Sequence, residues 1–275
     1  MERTDGLGKG PAIQTWIFQQ RQEIHRILIN LIMTKSIRQV KSKKRILNTL
    51  TSKLQSYRGV VPIAEQNLLQ DFISLDPVFA GHEDKFNFTG TREQWIKFHA
   101  ELDFKFDSGH WMEFGVREGT TIEQFLTYRP TAHIHGFDSW QGLPEAWDVG
   151  NKIYQPGDMA VPMPKFDSRV ELWKGWFEDT IDPWKVTHSG PIQLLHVDGD
   201  LYSSARTVLT KLNDRIVPGT VIIFDEIANW RLAGKMSEWC DGEWLALIEW
   251  IETFNREVKP LARSCLNQAS VEVLN

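Results

Sequence analysis

The first patterned stretch of the chain reads as helix. Ile13, Trp16 and Ile17, then Ile24, Ile27, Leu28, Leu31 and Ile32, recur at three- and four-residue spacing along one helical face. A weaker helical stretch covers Ile46 to Tyr57, and the segment through Val61 and Pro62 reads as a connection. Past residue 80 the rhythm changes. Thr91 and Gln94 form a capping box, and Trp95, Phe98 and Leu102 follow at helical spacing. Short apolar runs then appear at His110 to Gly115, Ala132 to Asp138, Val170 to Gly175, Ile192 to Gly199 and Thr220 to Glu226. Runs this continuous suit parallel strands covered on both faces. Helical segments lie between them: Thr120 to Tyr128, with Thr120 and Glu123 as a second capping box, Ser203 to Asn213, and Glu243 to Asn255. Val258 to Leu266 and Ser270 to Leu274 have room for two closing strands. The alternation predicts a doubly wound α/β domain over residues 81–275, preceded by a helical N-terminal extension over residues 1–80.

Composition removes several alternatives. With 41% apolar and 24% charged residues, a chain of 275 residues has the balance of a globular protein, which excludes disorder and fibrous repeats. No apolar run approaches the roughly 20 residues that span a bilayer. The first apolar cluster also lacks the flanks of a secretory signal, so a cytoplasmic location is expected. Cys240 and Cys265 encode neither a disulfide framework nor a thiolate metal site. The net charge of −5 conceals a segregation: nine Lys and Arg and no acid lie between Ile24 and Ala64, which leaves the rest of the chain at −14. A basic arm is therefore joined to an acidic body. The apolar stripe of Ile13 to Ile32 marks an interface, and a second copy of the chain is the expected partner, giving a homo-oligomer through the N-terminal helices. Nucleic acid and peripheral contact with an anionic membrane surface are the alternative uses of the arm, of which nucleic acid is disfavoured.

Ligands of such sheets bind beyond the carboxyl ends of the strands. The first strand ends in Glu113-Phe-Gly115-Val-Arg-Glu-Gly119-Thr120. Its glycines permit a tight turn into a helix whose N-terminus can receive a carboxylate. Arg117 breaks a dinucleotide GxGxxG, so a nicotinamide cofactor is disfavoured. The ExGxxxG pattern is similar to the first motif of class I methyltransferases that use S-adenosylmethionine. The second strand ends in Asp138-Ser139, where a carboxylate can accept hydrogen bonds from both ribose hydroxyls. Past the third strand, Trp176 is placed to cover an adenine. The fourth and fifth strands end in Asp198-Gly-Asp200-Leu-Tyr202 and Asp225-Glu226. Four acids on one sheet edge repel one another unless a cation joins them, and an all-oxygen site suits Mg²⁺.

Glu113 to Gly119, Phe137-Asp-Ser-Trp-Gln-Gly-Leu-Pro144, Gly175-Trp-Phe-Glu-Asp-Thr180, His196-Val-Asp-Gly-Asp-Leu-Tyr202 and Pro218-Gly-Thr-Val-Ile-Ile-Phe-Asp225 occur in the order seen in the macrocin O-methyltransferase (TylF-like) family. The resemblance spans roughly residues 85 to 258. It implies a Rossmann-like class I methyltransferase sheet of seven strands with the last antiparallel, and a metal-dependent sugar O-methyltransferase that uses S-adenosylmethionine. It further implies Mg²⁺ held by Asp198, Asp225 and Glu226, with Asp200 as general base. One departure lies at the centre: the family has Asp-Asp after the fifth strand, and this chain has Asp225-Glu226.

Twelve tryptophans are a heavy load, and large rigid rings suit stacking on sugar faces. Trp230 and Trp239 are the candidates, together with Tyr202. Gly142 to Phe166 has no periodicity and reads as a functional loop that brings Tyr154 and Asp158 to the substrate. The expected acceptor is a vicinal diol on a sugar of a glycan, glycolipid, nucleotide sugar or glycosylated metabolite. A catechol-type acceptor and a catalytically silent binding protein are the alternatives. Methylation of a nucleic-acid base is disfavoured, since neither Asn-Pro-Pro-Tyr nor Pro-Cys is present.

Overall fold

The protein is described here as a computed structural model, over residues 87–89, 91–149, 152–227, 242–264 and 267–275. The expected N-terminal helices, the boundary near residue 80, Trp230 and Trp239 lie outside the described residues.

A short strand β1 (Asn87–Thr89) leads to helix α1 (Arg92–Ala100), opened by the Thr91–Gln94 capping box. Then come β2 (His110–Phe114), α2 (Thr120–Tyr128), β3 (Ile134–Asp138), a two-stranded hairpin of β4 (Trp147–Asp148) and β5 (Ile153–Tyr154), and β6 (Val170–Lys174). The remaining elements are α3 (Phe177–Thr187), β7 (Ile192–Val197), α4 (Tyr202–Lys211), β8 (Ile216–Phe224), α5 (Glu243–Phe254), β9 (Val258–Ser264) and β10 (Ala269–Val273). The main sheet has the order β1-β9-β10-β8-β7-β2-β3-β6. β10 runs antiparallel to both neighbours, and the other pairings are parallel. The structure is thus an α/β sheet with the expected antiparallel last strand, plus β1 as an eighth strand at one edge.

β7 is buried at all six positions and β2 at four of five, as the uninterrupted apolar runs require. α1 buries Trp95 and Ile96, and α2 buries Ile122 and Phe125, in the same core as Trp111, Leu194 and Ile223. The second capping box does not form. Gly119, in a left-handed conformation, is the N-cap of α2, and no side chain caps it. α3 and the β4–β5 hairpin lie where no element was expected, and both contribute to the site.

Register sets the site's position. Trp173, Phe137, Phe114, Val197 and Phe224 are paired in one line across β6, β3, β2, β7 and β8. The backbone N–H groups of Gly115, Asp198 and Asp225 donate to the carbonyls of Phe137, Phe114 and Val197, at 2.9, 2.8 and 3.1 Å. Asp198 and Asp225 are therefore side by side, each one step beyond the last residue of its strand.

Candidate active site

A cavity of about 700 Å³ opens along this edge. The turn after β2 enters it first. Gly115 has φ +101°, and a Cβ there would lie 1.7 Å from the carbonyl oxygen of Asp198. Only a residue without a side chain allows the ends of β2 and β7 to approach so closely. Gly119 has φ +87°, and a Cβ there would meet the Phe166 ring at 2.3 Å. No side chain caps α2, and Thr120 and Thr121 at its start line the cavity, where the N-terminus of a helix can receive an anion. Asp138 organises the same region. One oxygen accepts from the Arg117 N–H and the other from the Trp140 N–H, each at 2.7 Å. Each oxygen keeps a further lone pair for a hydroxyl. Ser139 is buried; its hydroxyl accepts from the Gln141 N–H (3.0 Å) and donates to the Gly142 carbonyl, which commits it to the loop. Trp176 is the N-cap of α3 and lines the cavity beside Phe177.

The acids lie opposite this turn. Glu113 and His196 are register partners on β2 and β7, so their side chains share a face, and His196 is wholly buried between carboxylates. Its Nδ1 is 3.6 Å from Glu113 and its Nε2 3.6 Å from Asp225, ion-pair contacts longer than hydrogen bonds. Burial opposes the charge on His196, but Asp225 and Glu113 outweigh burial and its pKa is pushed up to about 10. Burial raises that of Glu113, against the pull of His196 and Arg92.

Arg92, the first residue of α1, reaches into this cluster. Its Nη1 donates to both oxygens of Asp225 (3.2 and 3.1 Å), and its Nη2 donates to Asp198 (3.2 Å) and Thr121 (3.1 Å). Gln268 also donates to Asp225, at 2.6 Å. Burial works to raise the pKa of Asp225, but His196, Arg92 and Gln268 overcome it and hold the carboxyl well below the usual range.

The neighbouring acids have less support, with Arg92 giving Asp198 a single hydrogen bond. Oxygens of Asp198, Asp200 and Glu226 lie within 4.8 Å of one another. Asp200 has φ +62°, a left-handed conformation that a non-glycine residue holds only under constraint from its surroundings. Burial, then Asp225, pushes its pKa up to about 7. Asp198 and Glu226 are raised for the same two reasons. Glu243, the first residue of α5, is fully buried and accepts from the Glu226 N–H at 2.9 Å. One oxygen of Glu226 and one of Glu243 are buried without a hydrogen-bond partner. Among the described residues, six carboxylates, Glu113, Asp198, Asp200, Asp225, Glu226 and Glu243, stand against Arg92, His196 and the more distant Arg117.

Some expected residues are elsewhere. Tyr202 donates its hydroxyl to Glu249 on α5 (2.5 Å) and does not line the cavity. The start of α4 instead presents Ser203, which lines the cavity and donates to Glu145. Tyr154 stacks behind Trp147, with ring centroids 5.5 Å apart, and Trp147 is the ring that faces the cavity. Asp158 accepts from the Gln155 N–H within the loop. Among the metal candidates, Asp225 is paired to Arg92, whereas the three acids whose oxygens converge include Asp200. The sequence reading missed Arg92, His196, Glu243 and Gln268. His196 reads as a strand interior, and Arg92 meets the acids only through the docking of α1.

Residues 108–239 match the macrocin-O-methyltransferase (TylF) family. The chain carries a TylF-type segment. Within the curated proteins, 108 residues are 32% identical to 8-demethyl-8-(2,3-dimethoxy-alpha-L-rhamnosyl)-tetracenomycin-C 4'-O-methyltransferase of Streptomyces olivaceus, covering 33% of this chain. The chain spans 40% of that relative's length. In fold, it is similar to the calicheamicin methyltransferase CalS11, with a TM-score of 0.51 and 20% identity over 87% of this chain and 94% of that one. The strands and turns that line the cavity, from Gly115 to Glu226, lie inside the TylF-type segment. Arg92, Glu243 and Gln268 lie outside it.

Proposed function

We propose that the protein is an S-adenosylmethionine-dependent O-methyltransferase that methylates one hydroxyl of a vicinal diol on a sugar, assisted by Mg²⁺. One observation carries this reading: the glycine turn with Asp138 and the acids Asp198, Asp200, Asp225 and Glu226 line a single cavity. On the donor side, Asp138 accepts from the ribose hydroxyls, Trp176 covers the adenine, and the uncapped start of α2 at Thr120 receives the donor carboxylate. Glu113 lines the cavity beside the turn with one oxygen that has no hydrogen-bond partner, open to the donor.

The acidic side fits a divalent cation. A guanidinium already bridges Asp198 and Asp225, so a positive charge is stable there, and Glu226 has a buried oxygen in need of a partner. Asp198, Asp225 and Glu226 would hold the ion once Arg92 withdraws. When bound, Mg²⁺ lowers the pKa of a chelated hydroxyl and orients it. Asp200 accepts the proton of the attacking hydroxyl as its oxygen forms the new bond to the methyl carbon and the sulfur–carbon bond breaks. A carboxylate that lines the cavity beside the other acids suits this role. Trp147, Leu143 and Met159 form the wall on the acceptor side.

The test is a mass shift of one methyl on a diol-bearing sugar acceptor, dependent on both S-adenosylmethionine and Mg²⁺. Transfer of equal rate in chelator rejects the metal, and transfer to catechols but not to sugars rejects the acceptor class.

A further inference from the structure

At the opposite end of the strands lies a second group of potential ligands. His135 is the second residue of β3 and Glu171 the second of β6, and they are register partners, so their side chains emerge on one face. His188, the C-cap of α3, closes over them. His135 Nδ1 is 3.1 Å from Glu171 Oε2, and His188 Nε2 is 3.2 Å from the same oxygen. All three ligand atoms lie within 4.8 Å of one another. None of the three residues lines the methyl-transfer cavity. Three residues of strand, roughly 10 Å, separate His135 from Asp138.

The proton count of this group is unusual. His110 Nε2 is 2.8 Å from the Ser189 carbonyl, which can only accept, so the His110 proton is on Nε2. His110 Nδ1 is then an acceptor, and His135 Nε2 donates to it at 3.1 Å. That leaves the lone pair of a neutral His135 Nδ1 pointing at a carboxylate oxygen. His188 repeats the pattern. Its Nδ1 lies 2.9 Å from Thr187 Oγ1, which is 3.1 Å from the Trp184 carbonyl. With the hydroxyl donating to that carbonyl, Nδ1–H donates to the hydroxyl and Nε2 turns its lone pair toward Glu171. Two ring nitrogens free to accept and a carboxylate oxygen thus lie within 4.8 Å of one another. A second proton on His135 is disfavoured by burial and by the neighbouring His110, His188 and His133.

We propose that His135, Glu171 and His188 form a second metal site, which takes a borderline divalent cation such as Zn²⁺ and is separate from the methyl-transfer site. Tetrahedral coordination at bonds near 2.1 Å sets ligand atoms about 3.4 Å apart, close to the two distances observed. Two imidazoles and one carboxylate select Zn²⁺ over Mg²⁺. Each imidazole already gives its other N–H to a hydrogen-bond acceptor, the arrangement that orients metal-binding histidines. Glu171, half exposed, provides the entry path. Such an ion would clip the end of α3 to the edge strand β6 and its neighbour β3, and water would complete its coordination.

Calorimetric titration of the full-length protein with Zn²⁺ in saturating Mg²⁺ tests the site, because the carboxylate cluster is then filled with the harder ion. One Zn²⁺ should bind, and Glu171→Gln and His188→Gln should each weaken it by about tenfold or more. Zn²⁺ should raise the melting temperature of the parent protein and not of the variants. Glu171→Gln changes a half-exposed side chain, so its fold is retained and the comparison stands even if His188→Gln folds poorly. No Zn²⁺ binding by the parent protein, or equal binding by parent and Glu171→Gln, overturns the site. The outcome does not depend on methyl transfer.

Discussion

On the donor side of the cavity the polar groups of the turn are already paired. Asp138 holds two backbone N–H groups, Ser139 ties the loop to Gly142, and the Trp140 ring donates to the Arg117 carbonyl at 2.9 Å. On the acidic side, buried oxygens of Glu113, Glu226 and Glu243 have no hydrogen-bond partner, and five acids are displaced upward in pKa with Asp225 held down among them. The first region is preformed by backbone geometry. The second is held by Arg92 and His196 in a state that an added cation would relieve. A nucleotide-shaped ligand needs a rigid cradle, whereas charge stabilisation needs sites whose demand is left unmet until the reaction partners arrive.

The largest effect is expected at the proposed proton acceptor. Asp200→Asn should lower the methyl-transfer rate by about 10²- to 10⁴-fold with donor affinity unchanged in calorimetry; a comparable loss of donor affinity would merge the two regions. Next is Gly115→Ala, where a Cβ meets the Asp198 carbonyl and left-handed strain is added. Denaturant unfolding should show a loss of about 3 kcal/mol or more, and an unchanged midpoint would contradict the close approach of β2 and β7.

How much of this was legible in the sequence follows the same division. Glu113, Gly115, Gly119, Asp138, Asp198 and Asp225 sit at strand ends, and strand ends are visible as the points where apolar runs stop. Parallel register then brings them to one edge without further information. Arg92 and Gln268 act on Asp225 across 133 and 43 residues of chain, through the docking of α1 and the approach to β10. No local pattern encodes such a meeting. Tyr202 followed the Asp-Gly-Asp motif, yet the first turn of α4 points its ring toward Glu249. The capping box at Thr120 failed because Gly119, left-handed against Phe166, takes the cap position. Helix α3 escaped notice because Pro183 lies inside it, although Thr180, Ile181 and Trp184 bury one face.

Two smaller effects sharpen the contrast. Arg92→Gln should tighten binding of Mn²⁺, used as a paramagnetic probe for Mg²⁺, by roughly tenfold, the equivalent of one lost charge-assisted hydrogen bond. Weaker binding would make Arg92 a support of the metal site instead of its competitor. The smallest effect is on stability in chelator. Asp198, Asp200, Glu226 and Glu243 have raised values in the folded chain, so the unfolded chain releases their protons first. Stability contributed by these protons is complete below the usual carboxylate range, about 4, and is lost as pH rises through the folded values, about 7 for Asp200. Asp225 moves the other way, but its contribution changes only at lower pH. The melting temperature should therefore fall between about pH 5 and 7, and Mg²⁺ should flatten the fall. A flat profile in chelator would remove the stored charge from the account.

On the proposed function, the contact between Gly115 and the Asp198 carbonyl bears on how the activity can diversify. A single backbone junction belongs to both regions, so neither the donor turn nor the acids can be remodelled alone; a shift in one is a shift in the other. Among the described residues, the backbone of Gly142 and Leu143 meets that of Gly157 and Asp158, within the loop itself. New acceptors can be accommodated there, by exchange of Leu143, Glu145, Trp147 or Met159, while the reacting centre is inherited whole. Libraries aimed at acceptor choice should vary that stretch and leave residues 113–119 and 198–200 untouched.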